Sequence, residues 1–173
     1  MRRVISSAFV FAALIVMVVA IAAVWTFQLQ GFQPCPLCLE QRTGYYLAIP
    51  LALAALALRG PLPRLATLLT LLAAAAIAWS AGLGVYHAGA EWGYWPGPST
   101  CAGGAGGADI FDNPGGLLGA LDQEVVVSCT EVQGRLFGLS FAGWNVLSAG
   151  TAAVLLLLSA TFGTRHEAVP AAR

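Results

Sequence analysis

The sequence has no lysine; all eight of its cations are arginines, balanced by eight acidic residues for a net charge of zero. Charged residues make up only 9% of the 173 positions, against roughly 25% in an ordinary soluble domain. So few charges cannot cover a globular surface in water, which excludes a soluble enzyme and a disordered tail. The balanced charge supplies no basic field to hold a polyanion, so no nucleic-acid partner is expected. What is abundant is apolar: 58% hydrophobic residues and a mean hydropathy of +0.78. The length suits one domain, and the composition suits a polytopic membrane protein whose first partner is the lipid bilayer.

A helix needs about 20 mostly apolar residues to cross a bilayer core. The run at residues 4–29 contains no ionisable side chain. Arg2 and Arg3 precede it as in a signal peptide. The run is too long for that, however, and Trp25, Phe27 and Gln28 make a poor cleavage site, so an uncleaved helix is expected. The next apolar run starts only at Tyr45; to span, it must reach back past Arg42 towards Pro36, and residues 39–58 are assigned to it. Pro61 and Pro63 then break the chain, with Gly60 permitting a tight turn. Spans at about 65–90 and 137–162 follow. The expected fold is an all-α membrane protein, a four-transmembrane-helix bundle forming a single domain over residues 1–173, with outer loops at about 30–38 and 91–136. Ala73, Ala76, Gly82 and Gly84 would let helix backbones approach closely. In the long second loop, Leu117, Leu118, Leu121 and Val125 recur at helical spacing, which predicts a short amphipathic helix on the membrane surface. Trp92, Tyr94 and Trp95 form an aromatic belt at its start.

Arginine placement sets the orientation. Arg2, Arg3, Arg59, Arg64, Arg165 and Arg173 fall on one side, Arg42 and Arg135 on the other, which puts both termini in the cytoplasm. All four cysteines then lie outside: Cys35 and Cys38 in the first loop, Cys101 and Cys129 in the second. In a bacterium that space is the oxidising periplasm.

Four cysteines allow three pairings, and their spacing favours one disulfide per loop. A c-type haem needs a histidine directly after the second cysteine, where Leu39 stands. A zinc site needs four ligands that stay reduced, so no metal is expected. Structural disulfides suit Cys101 and Cys129 better than Cys35-Pro36-Leu37-Cys38, because so short a loop stabilises little by chain entropy. C-x-x-C is more often redox chemistry. If the second helix starts at Pro36, Cys38 lies in its first turn and Arg42 one turn further on the same face. Both favour a thiolate, so Cys38 is expected to be the acidic sulfur of the pair. A redox sulfur beside an arginine at the membrane boundary calls for a membrane-soluble two-electron acceptor. A quinone fits, since its carbonyl can accept from the guanidinium. His87 lies near the outer end of the third span, where contact with a quinone carbonyl and plain helix packing are both open; Glu91, four residues on, can pair with it.

These residues resemble a known family. Cys35-Pro36-Leu37-Cys38-Leu39-Glu40-Gln41-Arg42, then Cys101 and Cys129 in one long outer loop, are similar to the disulfide bond formation protein B (DsbB) family. So is Gly138-Leu139-Ser140-Phe141-Ala142-Gly143-Trp144-Asn145 opening the last span, and the resemblance covers nearly the whole chain. It implies a bacterial inner-membrane protein-dithiol:quinone oxidoreductase. Such an enzyme re-oxidises a periplasmic thioredoxin-fold (DsbA-like) dithiol oxidase and passes two electrons to ubiquinone or menaquinone. The resemblance gives Cys101 the mixed disulfide with the partner, and Cys129 the later exchange with Cys35. It gives Cys38 the reaction with quinone and Arg42 its binding. His87 corresponds, offset by one residue, to a family histidine near the quinone. Gln41 stands where an acidic residue is expected beside the arginine. The partner is itself a strong oxidant, at about −120 mV, so the exchange needs a strong terminal acceptor. Two rival readings remain. One is a quinone-epoxide reductase of the vitamin K epoxide reductase type, whose C-x-x-C tends to come late in the chain. The other is a non-enzymatic scaffold with disulfide-stapled loops.

Overall fold

The computed structural model describes residues 2–98, 128–130, 132 and 134–167. Four long helices carry the fold: α1 (Arg2–Leu29), α2 (Pro36–Leu58), α3 (Pro63–Glu91) and α4 (Phe141–Glu167). A two-stranded antiparallel ladder, β1 (Arg135–Leu136) with β2 (Leu139–Ser140), precedes α4. Among the described residues, the stretches Val4–Leu29, Pro63–Glu91 and Phe141–Phe162 are long and apolar enough to cross a membrane. At 23 residues, α2 has comparable reach, about 35 Å, but Glu40, Gln41 and Arg42 make its first turns polar. Cys101 and the helix expected around residues 117–125 lie outside the described residues.

Prolines place two of the helix starts. Pro36 and Pro63 each sit in the first turn, where a missing N–H costs nothing and the fixed φ suits the helix. The last helix begins four residues later than the expected 137, for a local reason. Phe137 and Gly138 both have positive φ (52° and 83°), the geometry of a tight hairpin turn. Ser140 then caps α4, its Oγ accepting from the Gly143 amide at 3.2 Å. Trp144 Nε1 donates to the Leu136 carbonyl at 2.9 Å and ties the hairpin to the helix.

The helices pack as an incomplete ring. α3 lies along both α2 and α4, and α1 lies along α4, while of the neighbouring pairs around the ring α1 and α2 touch least. The core is built largely of alanine: Ala13, Ala48, Ala52, Ala73, Ala149 and Ala152 are fully buried around Val10, Met17, Ile77 and Leu156. Small side chains let backbones close up, so packing rather than bulk holds the helices together. The closest approach is at Gly44 of α2. A Cβ there would lie 2.7 Å from both the Ala76 carbonyl oxygen and Ser80 Cβ of α3. The large apolar side chains point outward instead; Phe11, Leu47, Trp79 and Leu147 are all exposed, as a lipid-facing surface requires. The end of the bundle away from the cysteine pair is laced by Arg59. Its two terminal nitrogens donate to Ser6 Oγ (2.6 Å) and Ser159 Oγ (2.5 Å), joining α1, the end of α2 and α4.

Gly44→Ala is expected to lower stability by about 1–3 kcal/mol through overpacking of the α2–α3 contact. Gly82→Ala, where a Cβ meets nothing within 4 Å, is the matched control and should melt like the parent. Thermal unfolding in detergent checks the pair; equal melting temperatures would contradict the tight α2–α3 contact.

Candidate active site

The cysteine pair forms the entry to α2. Cys35 is its N-cap residue, in extended conformation (φ −71°, ψ 162°), and its Sγ accepts from the Cys38 amide at 3.2 Å. A sulfur therefore takes the place usually held by a serine or aspartate oxygen at a helix start. Both thiols are free, with their sulfurs 2.7 Å apart. Cys35 is 1% exposed and packs with Leu37 and the fully buried Cys129 in one small cluster, which Cys38 and Leu83 complete. Cys129 is itself disulfide-bonded.

His87 reaches this pair from α3. Its Nε2 lies 3.8 Å from Cys35 Sγ and its Nδ1 4.0 Å from Cys38 Sγ. The ring is 3% exposed. Gln41 donates its amide N–H to His87 Nδ1 at 2.8 Å, while Gln41 Oε1 accepts from Asn145 Nδ2 at 2.6 Å. Asn145 also donates to the Ser80 carbonyl (3.0 Å) and accepts from the Tyr45 hydroxyl (2.8 Å). Glu91, one turn beyond His87, has Oε1 3.9 Å from Nε2, and its Oε2 is buried without a hydrogen-bond partner.

This geometry favours Cys35, against the expectation that Cys38 is the acidic sulfur. The amide of the first turn points at the capping residue, which is Cys35, and His87 Nε2 faces the same atom. The contact with the Cys38 sulfur, then His87, then the Cys38 amide outweigh burial and bring the Cys35 thiol down to about 5. In the dithiol state the negative charge therefore belongs on Cys35.

A cavity of about 480 Å³ opens beside the pair, between α1 and α2 where the ring is incomplete. Cys38 and Arg42 line it with His87 and Glu91, while its wall is mostly apolar, with the largest share from α1. Ile15 and Val19 on that wall are 52% and 61% exposed, so the cavity opens at the apolar flank of the bundle. Phe27, Phe32 and Phe141 meet over one end, with ring centroids 5.0–5.9 Å apart. Arg42 is 8% exposed; it donates to Gln28 Oε1 at 2.7 Å and sits 5.8 Å from the Trp25 ring centroid. Its Nε is buried with no partner.

The structure thus brings Cys35, Cys38, Arg42 and His87 together and sets Cys129 in the sulfur cluster, while Cys101 falls outside the described residues. The three donors of Cys35, Cys38 and His87 lie within 4.8 Å of one another, a spacing that a metal ion would also accept. Sequence reasoning did not anticipate the roles of Gln41, Gln28 or Trp25. Only Gln41 left a sequence trace, standing three residues after Cys38 on the same helical face.

A helical bundle with apolar flanks, a dithiol capping one helix and a disulfide-bonded cysteine packed beside it define a membrane thiol–disulfide oxidoreductase. A family model described as "Disulfide bond formation protein DsbB" matches residues 6–159. The chain belongs to that family, whose members are membrane proteins of disulfide bond formation. No curated protein and no solved structure matches it.

The assignment of charge to Cys35 has a direct readout. In reduced protein carrying Cys101→Ser and Cys129→Ser, one thiolate per molecule should absorb in the ultraviolet at neutral pH. It should be lost as pH falls through about 5, because the thiolate exists only above its pKa. Cys35→Ala should abolish that thiolate; its persistence would return the charge to Cys38.

Proposed function

We propose that the protein is an inner-membrane protein-dithiol:quinone oxidoreductase, re-oxidising a periplasmic DsbA-like thioredoxin-fold partner. In this reading α2 is the fourth span, both termini are cytoplasmic, and the cysteines face the periplasm. The observation that carries the reading is the shared cavity. Cys38 and a buried arginine with one unpartnered N–H line a space of about 480 Å³ that opens on the apolar flank. That volume lies within the usual range for small-molecule pockets, roughly 300–1,000 Å³.

The residues fit a quinone. Arg42 Nε is a buried donor awaiting an acceptor, the walls are apolar, and Cys38 is the sulfur exposed to the space. Arg42 would hold a ring carbonyl, whereas His87, which lines the space, has Nδ1 engaged by Gln41 and Nε2 facing Cys35. A bound quinone supplies a two-electron acceptor there, and which quinone it is follows from the host's membrane, ubiquinone or menaquinone.

The chain's own steps are disulfide exchanges. Cys101 takes the attack of the partner's thiolate, and the Cys101–Cys129 bond breaks to release Cys129 as thiolate. Cys129 attacks Cys35 of an oxidised Cys35–Cys38 pair. The Cys35–Cys129 bond forms, and Cys38 leaves with the electron pair beside Arg42. The partner's second thiol then displaces Cys101, and the partner departs oxidised. Cys101 attacks Cys129, re-forming their bond and releasing Cys35, so that the two electrons rest on Cys35 and Cys38 for passage to a bound quinone. The packing of Cys129 against Cys35 supports this order. The early position of the C-x-x-C and the family match favour it over a quinone-epoxide reductase. The redox pair at the cavity wall favours it over a scaffold.

The test is turnover of a reduced thioredoxin-fold partner with added quinone, by purified protein in detergent. Wild type should turn over and Cys38→Ser should not. Arg42→Ala should raise the quinone KM roughly tenfold or more, the loss expected for a charge-assisted hydrogen bond of about 1.5 kcal/mol. Absence of quinone-dependent turnover, with an active control enzyme alongside, would overturn the proposal.

A further inference from the structure

Within that redox site, one backbone carbonyl settles where a proton sits. A carbonyl oxygen only accepts, so the group of Asn145 facing Ser80 O at 3.0 Å must be its NH2. The same Nδ2 lies 2.6 Å from Gln41, which must therefore turn its Oε1 towards Asn145. Gln41 is left with its NH2 towards His87, 2.8 Å from Nδ1. Nδ1 is then an acceptor, and a neutral His87 carries its proton on Nε2. That is the nitrogen facing Cys35 Sγ, at 3.8 Å. The Tyr45 hydroxyl reinforces the orientation by donating to Asn145 Oδ1 at 2.8 Å. Gln41 itself is held in place by Ser80 Oγ, which donates to its backbone carbonyl at 2.6 Å, and by the close approach of Gly44 to α3.

We propose that Gln41 and Asn145 are positioning residues that lock His87 as the Nε2–H tautomer, so that the imidazole donates a hydrogen bond to the Cys35 sulfur. The relay runs from the Ser80 carbonyl through Asn145, Gln41 and His87 and crosses three helices before it reaches the thiolate. Its effect is to stabilise Cys35 as the thiolate released when the Cys35–Cys129 bond breaks, and in that sense it rests on the redox reading given above. The reverse tautomer would present a bare lone pair to the sulfur and disfavour its charged form. Among the described residues, the titratable and charged groups around Cys35 are Cys38 and, on the far side of Cys38, Arg42 from α2, with His87 and Glu91 from α3. Cys129 is disulfide-bonded and does not titrate. The stretches 4–29 of α1 and 141–164 of α4 contain no ionisable side chain.

Two equilibrium measurements on the purified full chain test this, and neither needs quinone or a redox partner. An inactive protein would therefore sink the oxidase reading without touching this one. The first is the tautomer of His87, read from its 15N chemical shifts at a pH where the ring is neutral, with His166→Gln removing the other histidine. The Nε2–H form is expected, and Gln41→Glu should put a proton on Nδ1, since a carboxylate only accepts. An Nδ1–H ring in the parent protein would overturn the proposal, and that result requires no variant to fold. The second is the thiolate titration of Cys35 in a Cys38→Ser, Cys101→Ser, Cys129→Ser background. Gln41→Leu and Asn145→Leu should each raise its midpoint by about one pH unit, and the double variant should go no further than Gln41→Leu alone. Unchanged midpoints, or shifts that simply add, would show two independent packing residues and no relay.

Discussion

The bond from the Cys38 amide to the Cys35 sulfur governs the rest of the site. A helix start has free N–H groups, and in a membrane protein they need a partner that water cannot reliably supply. Here the partner is one of the two redox atoms. Because the cap is a sulfur, the start of α2 and the chemistry of the pair cannot be separated. The helix begins at Pro36 because Cys35 caps it. The contact with the Cys38 sulfur, then His87, then the capping amide make Cys35 the more acidic thiol. Cys38, three residues on, is turned towards the cavity and Arg42 because the helix fixes its direction. One backbone interaction thus divides the labour between two chemically identical side chains. Cys35 looks inward to Cys129, and Cys38 looks outward to the cavity.

The packing of the bundle serves the same division. α2 is pressed against α3 at Gly44, which brings Gln41 and Cys35 within reach of His87. The cost of that closeness appears on the opposite side, where α2 and α1 separate and leave the cavity. A larger residue at position 44 would push α2 away from α3 and disturb both features at once. The polar side chains beside the cysteine pair form one connected set, from Tyr45 and Asn145 through Gln41 to His87. In a low-dielectric interior a satisfied network of this kind holds its members in one arrangement, whereas a broken one is costly. Among the described residues, Arg42 Nε and Glu91 Oε2 are the exceptions, and both belong to residues that line the cavity.

Much of this was legible in the sequence, for identifiable reasons. Uninterrupted apolar stretches marked α1, α3 and α4. The second span was assigned to residues 39–58, and α2 begins three residues earlier at Pro36, whose place in a first turn is a local signal that polar first turns obscure. The C-x-x-C with an arginine four residues beyond pointed to redox chemistry and to a shared face. The identity of the acidic sulfur was not legible. Both cysteines lie close enough to the helix start to profit from it, and only backbone geometry tells the cap from the first turn. The contacts of His87 were hidden in another way. Gln41 and Asn145 are 104 positions apart, and no local pattern joins them. The delayed start of α4 turned on Phe137 adopting a positive φ, which a phenylalanine does not advertise.

The cavity's mouth faces sideways, on the flank that Ile15 and Val19 leave exposed. A molecule entering there arrives through oil, so what it experiences as concentration is its mole fraction among lipids or detergent. Diluting such a protein in micelles at constant bulk ligand would then mimic a weakening of affinity, although no contact had changed. In the proposed reaction the partner's thiols, which exchange with Cys101, would arrive instead from the aqueous side. The two halves of the chemistry would be fed from different phases, and neither reactant would crowd the other at a common door.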